Sequence, residues 1–302
     1  MEEPRTDVPL HVRVELAHGA TQVLANQQKV DLLHIKGPAV AEGLRRPGTA
    51  STDADVLVRP QHVPRFMAGL ERTGWILRTD FRDGSAFEHA AGLYHPHWGL
   101  LDVHRRFPGM DRDPEHTFEV LWGRREHTRL AAIDVAVPDR TGQQLVLLLH
   151  VARSEAPAMD QHPDHAVNWG HASEQDRQAV VELAREVHAE VALAAATDQL
   201  DAYDGDPEAA LWRVFSRPGH TRLEEWRARV QAAPTRRAKV GVALRAFLVN
   251  KAWLAEDLGR PPTRADMVRA FGGRFVQGAR DLGRMSRRSA QEHLHIDREG
   301  PS

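Results

Sequence analysis

Asp53 and Asp55 stand two apart in the run Asp53-Ala54-Asp55-Val56-Leu57-Val58. Alternation and β-branching read this run as a strand, and residues two apart in a strand point to the same face. Two carboxylates held together are costly unless a cation neutralises them. A third, Asp102, sits in another apolar stretch, Trp98-Gly99-Leu100-Leu101-Asp102-Val103-His104, where a charge is out of place in a plain core. If the two strands are neighbours, three carboxylates converge on a hard-cation site suited to Mg²⁺ bound together with a phosphate. Two such ions polarise the attacking and leaving oxygens of an in-line displacement. Upstream, Lys36-Gly37-Pro38 closes the apolar run Leu32-Leu33-His34-Ile35. Glycine lets backbone approach a ligand, a helix opening at Pro38 favours phosphate, and Lys36 adds a mobile positive charge. Lys36 is one of only four lysines in a chain that otherwise uses arginine, which singles it out.

Blander readings stand beside each of these. Asp53 and Asp55 also suit the solvent side of an edge strand, Asp102 a buried partner for an arginine, and Lys36 an exposed helix-start charge. His104 shares a strand face with Asp102 and reads equally as a base that orients an acceptor and as a structural histidine. The chain has 18 histidines, so clusters such as His95-Pro96-His97 and His162-Pro163-Asp164-His165 arise by chance. Neither has the i, i+4 spacing of a helical zinc site, and no HExxH occurs. His150, on an apolar helix, reads as core.

The elements that must position these residues are legible from periodicity. Pro9 to Gln28 reads as an amphipathic helix with Leu10, Val14, Leu16, Val23 and Leu24 on its stripe. A strand over Leu32–Ile35, a short helix over Ala39–Leu44, a loop over Arg45–Thr52 and the Asp53–Val58 strand follow. Then come a helix over Gln61–Thr73 ended by Gly74 and strands over Trp75–Arg78, Phe87–Leu93, Trp98–His104 and Thr128–Val137. Glu115–Gly123 is a helix before the last of them. After Thr141 the pattern is helical: Gln143–Ser154, Ser173–Ala196, Pro207–Phe215, Arg222–Ala232, Arg237–Asp257 and Thr263–Phe271. Glu155–Gly170, rich in Pro, Asp and His, reads as a loop. The expected fold is α/β (α+β): a small mixed sheet with flanking helices over residues 1–140, then an all-α domain over 141–302 that completes a nucleotide and acceptor cleft.

The stretch IKGPAVAEGLRRPGTASTDADVLVRPQHVPRFMAGLERTGW resembles the uncharacterised nucleotidyltransferase family of the DNA-polymerase-β-like superfamily. That family shows a strand ending in Lys-Gly, a short helix, a loop, an Asp-x-Asp strand and a helix ending in Gly-aromatic. LLDVHRRF is similar to its third-carboxylate strand, and LVLLLHVARSE, with His150, to the His-bearing helix that opens its helical part. The resemblance covers roughly Leu32 to Ser154. It departs where superfamily enzymes carry Gly-Ser or Gly-Gly after the first strand, where Ala54 replaces a larger apolar residue, and where Thr49, Ser51 and Thr52 stand in place of an Arg. The resemblance implies a transferase that moves a nucleoside monophosphate from a nucleoside triphosphate such as ATP to an acceptor hydroxyl, releasing pyrophosphate. It implies Asp53, Asp55 and Asp102 as metal-binding and catalytic residues. Two Mg²⁺ ions are expected, with Mn²⁺ able to replace them, and Lys36, Gly37, Ser51 and Thr52 at the nucleotide. The acceptor is a small molecule or peptide in the favoured reading and RNA in the other. The alternative is a catalytically degenerate nucleotide- or RNA-binding module of the same fold.

Composition bounds these readings. A chain of 302 residues, 41% apolar and 27% charged, is ordinary for one large or two smaller globular domains. No cysteine is present, which removes disulfides, thiolate metal sites and cysteine nucleophiles. No apolar run approaches a membrane span, and MEEPRTDVPL has no signal-peptide h-region, so a cytoplasmic location is expected. Between Trp212 and Arg288 there are 18 Lys and Arg against 6 Asp and Glu, within a chain of net charge −2. That asymmetry points to an anionic partner for the C-terminal part. Its interleaved aromatics, Trp212, Phe215, Trp226, Phe247, Trp253, Phe271 and Phe275, fit either a nucleic-acid groove or core.

Overall fold

The computed structural model describes residues 8–81, 87–110, 112–154, 159–233, 235–245, 254, 258, 260 and 262–273. The chain runs α1 (Leu10–Gln28), β1 (Leu32–His34), β2 (Asp53–Val58), α2 (Val63–Arg72), β3 (Ile76–Thr79), β4 (Ala90–His95) and β5 (Gly99–His104). It continues α3 (Pro114–Gly123), β6 (Glu126–Leu130), β7 (Ile133–Val137), α4 (Arg140–Val151), α5 (Pro163–His165), α6 (Glu174–Glu186), α7 (Glu190–Ala196), α8 (Pro207–Phe215), α9 (Arg222–Ala232) and α10 (Arg236–Arg245). β1 to β5 form one mixed sheet in the order β1-β2-β5-β4-β3, with only the β2–β5 pair parallel.

The sheet's two faces differ because β2 and β5 alternate two kinds of residue. Ala54, Val56 and Val58 of β2, with Leu101 and Val103 of β5, pack under Ala17, Leu24 and Ala25 of α1 and Phe66 and Leu70 of α2. The opposite face is apolar at Leu33, Ile35 and Leu57, which join a second core built on α4, α6 and α7. Leu145 to Leu149 of α4 are buried on all sides, as expected of a helix apolar all round. The same face carries Asp53, Asp55, Asp102 and His104. The β1–β2 connection is tied to the helices: Gln143 accepts from the Ala41 amide at 2.7 Å, Asn168 donates to Leu44 O at 2.9 Å, and Arg45 forks onto Asp164 at 3.0 and 3.2 Å.

Several expected elements are redrawn. After Gly37 (φ +63°) the chain makes only a 3-10 turn over Gly37–Ala39, and Val40 returns to an extended backbone. No helix forms over Ala39–Leu44, so no helix N-terminus faces a phosphate there. The single strand over Thr128–Val137 is the hairpin β6–β7, turned at Ala131 and Ala132, both left-handed, with the Ala131 amide held by Glu15 at 2.9 Å. The helix over Ser173–Ala196 breaks at His188 (φ +57°) into α6 and α7. The predicted stripe of α1 is rotated. Leu10 and Val23 are exposed, while Val14, Ala17, His18, Thr21, Gln22 and Ala25 face inward, because His18 and Gln22 have a buried polar partner in β1. The loop over Glu155–Gly170 contains α5 and a π turn over Ala166–Gly170.

Chain contacts divide the protein into Met1–Pro218 and Gly219–Ser302. α4 to α8 belong to the first unit. In the second, α9 is closed by a capping box of Thr221 and Glu224, and the Arg229 guanidinium lies 4.4 Å above the Trp226 ring. Residues 264–273 are helical. Trp212 is buried in the core of the first unit. Phe247, Trp253 and Phe275, and most of the predicted helix after Arg245, lie outside the described residues. No described helix is long and apolar enough to cross a membrane.

Candidate active site

The parallel register of β2 and β5 sets the site. Asp55 lies opposite Asp102, Leu57 opposite His104 and Asp53 opposite Leu100. On the far side of β5, Gly92 of β4 lies opposite Asp102. The absent side chain matters, because a Cβ at Gly92 would stand 2.7 Å from Thr79 Oγ1 and 3.4 Å from Asp102 Oδ1. The floor left open by Gly92 is part of a pocket of about 320 Å³ lined by Lys36, Asp53, Thr79, His89, Ala90, Gly92, Asp102, His150 and Arg153.

Asp55 is the innermost carboxylate, 1% exposed. Its Oδ1 takes both Lys36 Nζ at 2.5 Å and the Nε2–H of His104 at 2.9 Å. Burial by itself would raise the Asp55 pKa, but Lys36 and His104 outweigh it and hold the carboxyl well below the usual carboxylate range. His104 goes the other way. Burial lowers it to about 4 against the pull of Asp55, so the ring is neutral and its Nδ1 is buried without a partner. Asp102 forms no ion pair with a described Lys or Arg. Burial, then the charges of Asp55 and Asp53, push it up to about 7. Asp53 is raised by burial and by Asp55.

A cation fits this set. Asp55, Asp102 and His104 can each offer an atom within 4.8 Å of the others. Asp53 stands one step along the same face, and neither it nor Asp102 is in contact with a described Lys or Arg, although Lys36 draws on both and Arg153 on Asp102 across the pocket. Carboxylate oxygens suit Mg²⁺ or Mn²⁺, while the His104 Nε2–H, already given to Asp55, braces that carboxylate.

The sequence expectation therefore meets the structure unevenly. Asp53, Asp55, Asp102 and Lys36 come together. Lys36 is not a mobile charge but is tied to Asp55. Gly37, Ser51 and Thr52 are not among the described residues lining the pocket. The Ser51 hydroxyl donates to Asp53 O at 3.0 Å and that of Thr52 to the Asp53 carboxylate at 3.3 Å, so both brace the start of β2. Gly37 packs against Ser51, whose Oγ is 3.2 Å from where a Cβ would sit. His89, His150 and Arg153 are in the pocket wall although sequence reading assigned none of them there. Burial holds the His89 and His150 rings neutral, well below the usual histidine range. The available signal was the i, i+3 spacing of His150 and Arg153 at the end of an apolar helix, which puts them on one side.

The model of an uncharacterised nucleotidyltransferase family matches residues 18–203, a span that contains every pocket residue named above. No curated protein matches the chain. Among solved structures, the lincosamide antibiotic adenylyltransferase LnuA, with lincomycin bound, is similar at 16% identity and a TM-score of 0.32, over 57% of this chain and 96% of that one.

Proposed function

The chain belongs to the uncharacterised nucleotidyltransferase family, and from that membership we propose that it moves a nucleoside monophosphate from a nucleoside triphosphate to an acceptor hydroxyl. The acceptor oxygen forms a bond to the α-phosphorus, the bond from that phosphorus to the bridging oxygen breaks, and pyrophosphate leaves with the electron pair. The reading is supported above all by the three carboxylates that share one sheet face at a pocket walled by cationic side chains.

In this reading Asp53, Asp55 and Asp102 hold two Mg²⁺ ions, with Mn²⁺ able to replace them. Bound there, the ions supply charge neutralisation at the phosphates and polarise the reacting oxygens. Lys36 fixes the orientation of Asp55 through Oδ1 and leaves Oδ2 to a cation. His104 does the same from the other side. Asp102, the carboxyl with the weakest hold on its charge, is placed to receive the acceptor's proton. Ser51 and Thr52 fix the start of β2, and Gly37 lets the turn close on Ser51 so that Lys36 reaches inward. Residues 1–140 supply the carboxylates and Lys36, and the helical residues after 140 within the same unit, His150 and Arg153 among them, wall the nucleotide pocket. A small molecule or peptide is the favoured acceptor for a pocket of this size, with RNA the other reading.

Calorimetric titration of each nucleoside triphosphate, with and without Mg²⁺, tests this on the wild type and on Asp53→Asn and Asp102→Asn. Binding that needs Mg²⁺ and is lost in both variants supports the transferase. Binding indifferent to Mg²⁺ and to both substitutions would overturn it in favour of a degenerate nucleotide-binding module.

A further inference from the structure

We propose that Arg153, oriented by His89, grips the pyrophosphate end of the nucleotide and takes the charge that develops on the leaving group. This deepens the nucleotidyltransferase reading and rests on it.

Arg153 carries a charge with no counter-charge in contact, Asp55 and Asp102 acting on it only across the pocket. The half-buried Arg153 side chain lies in the pocket wall just beyond the end of α4. Among the described residues it has no carboxylate within ion-pair distance. Its hydrogen bond runs from Nη1 to His89 Nε2 at 3.0 Å, and its Nε is buried with no partner. The guanidinium sits 5.7 Å from the Phe107 ring centroid. A neutral imidazole can accept from a guanidinium but cannot balance it. The accepted bond and the ring beneath therefore aim the fork without neutralising it. Burial lowers the Arg153 pKa only to about 10, so the charge persists at neutral pH. A guanidinium with a buried, unpartnered Nε and no carboxylate in contact has donors to spare, and an anion entering the pocket would take them.

The other cation in the pocket is already committed. Lys36 lies on Asp55, whereas Asp53 and Asp102 have no cation of their own. The pocket thus offers carboxylates on one side and a guanidinium on another that attract across it without touching. A polyphosphate carrying divalent cations has the matching polarity: its cations meet the carboxylates and its phosphate oxygens meet the fork. A planar guanidinium suits two phosphate oxygens at once, which an ammonium does not. In the transfer step the electron pair of the broken phosphorus–oxygen bond stays on pyrophosphate. Arg153 is then a catalytic residue at that group, and His89 a positioning residue.

Calorimetry with inorganic pyrophosphate and Mg²⁺ tests the assignment on wild type, Arg153→Met, Arg153→Lys, His89→Leu and His89→Gln. Mn²⁺ binding followed by electron paramagnetic resonance and thermal melts are run alongside. Arg153→Met should weaken pyrophosphate about 10- to 100-fold while Mn²⁺ affinity changes less than about threefold. Arg153→Lys keeps a cation, serves if the Met variant does not fold, and should still lose about tenfold because the fork is gone. His89→Leu, which removes the acceptor, should weaken pyrophosphate about tenfold, and His89→Gln, which restores one, should regain most of that loss; His89→Leu binding as tightly as wild type would remove His89 from the assignment. Pyrophosphate affinity unchanged in both Arg153 variants overturns the assignment. If nucleotide binding then still needs Mg²⁺ and Asp53, the transferase reading survives without it. A wild type that binds neither pyrophosphate nor any nucleoside triphosphate overturns both.

Discussion

Two buried polar clusters lie on opposite faces of the same sheet, and they are built on opposite principles. Behind the sheet, His18 and Gln22 of α1 meet His34 of β1. Gln22 Nε2 donates to Asn26 Oδ1 at 2.8 Å, which turns Gln22 Oε1 toward His34 Nε2 at 3.0 Å. His34 Nε2 therefore carries the proton, its Nδ1 accepts, and His18 Nδ1 donates to it at 2.7 Å. Every member is neutral: burial lowers His18 to about 4 and holds His34 well below the ordinary value. On the other face Asp55 is driven down, Asp102 is driven up, and Arg153 keeps its charge. The packing cluster settles into neutral groups joined by hydrogen bonds, although His18 Nε2 is left buried without a partner. A cluster whose groups are pushed in different directions and whose charges do not cancel is waiting for a ligand.

The sharpest way to break this comparison is to neutralise one unbalanced carboxylate. Asp102→Asn should lower Mg²⁺-dependent turnover by about 10³-fold or more, several kcal/mol of transition-state stabilisation, and yet leave the protein more stable at pH 8. The sign follows from linkage. Folding raises the Asp102 pKa from 3.8 to about 7, so the folded state holds its proton more tightly and stability falls as pH rises through that window. A thermal melt at pH 8 in which Asp102→Asn melts below wild type would contradict the picture of an unbalanced carboxylate.

Asp55 should behave differently from its neighbour. Its carboxylate is balanced, so Asp55→Ala leaves the Lys36 ammonium buried without a partner. A loss of about 3–5 kcal/mol is expected, as when one member of a buried pair is removed. Urea unfolding reads it, and Asp53→Asn, on a partly exposed residue, serves as the control with little change. Lys36→Met combined with Asp55→Leu should recover most of the loss. If Asp55→Ala were as stable as wild type, Lys36 would not be committed to Asp55.

The histidine cluster gives the opposite pH sign. Its folded pKa values lie below the unfolded value of 6.5, so the unfolded chain binds protons first. Stability is complete above 6.5 and falls as pH drops toward about 4. His18 alone accounts for roughly 3 kcal/mol over that interval. Replacing His18 and His34 together by leucine should flatten the acid limb of a stability-versus-pH curve and leave nucleotide affinity within about twofold. An unchanged acid limb would show that the cluster is already protonated when folded.

These contrasts explain what could be read before the fold was known. The alternation of Asp53, Ala54 and Asp55 gave β2 and the shared face directly, because strand periodicity is local. Asp102 was marked by a charge in an apolar strand. That β2 pairs in parallel with β5 is not local: the chain crosses α2, β3 and β4 in between. The commitment of Lys36 to Asp55, and the meeting of His89 with Arg153, depend on the same crossing and have no signature in spacing. The turn at Ala131 and Ala132 was missed because neither residue is a turn former. A Glu15 carboxylate 116 positions away holds it. The helix expected after Gly37 failed for a related reason: Gln143, Asp164 and Asn168 from the helical part claim the Ala41–Arg45 segment.

The smallest expected effect tests the floor of the pocket rather than its charges. Gly92 has an ordinary strand backbone, so its requirement is space, not conformation. Gly92→Ala should cost about 1–2 kcal/mol by overpacking against Thr79, whose Oγ1 also accepts the Gly92 amide at 3.1 Å. The new methyl also meets Asp102 Oδ1 at 3.4 Å, so nucleotide affinity should fall as well, by about three- to tenfold. Pairing Gly92→Ala with Thr79→Ala removes the oxygen in the way and should restore most of the stability. Affinity should recover less, because the new methyl still stands 3.4 Å from Asp102 Oδ1. Stability and affinity that recover together would mean that Gly92 serves only the β3–β4 packing and that the site begins at Asp102.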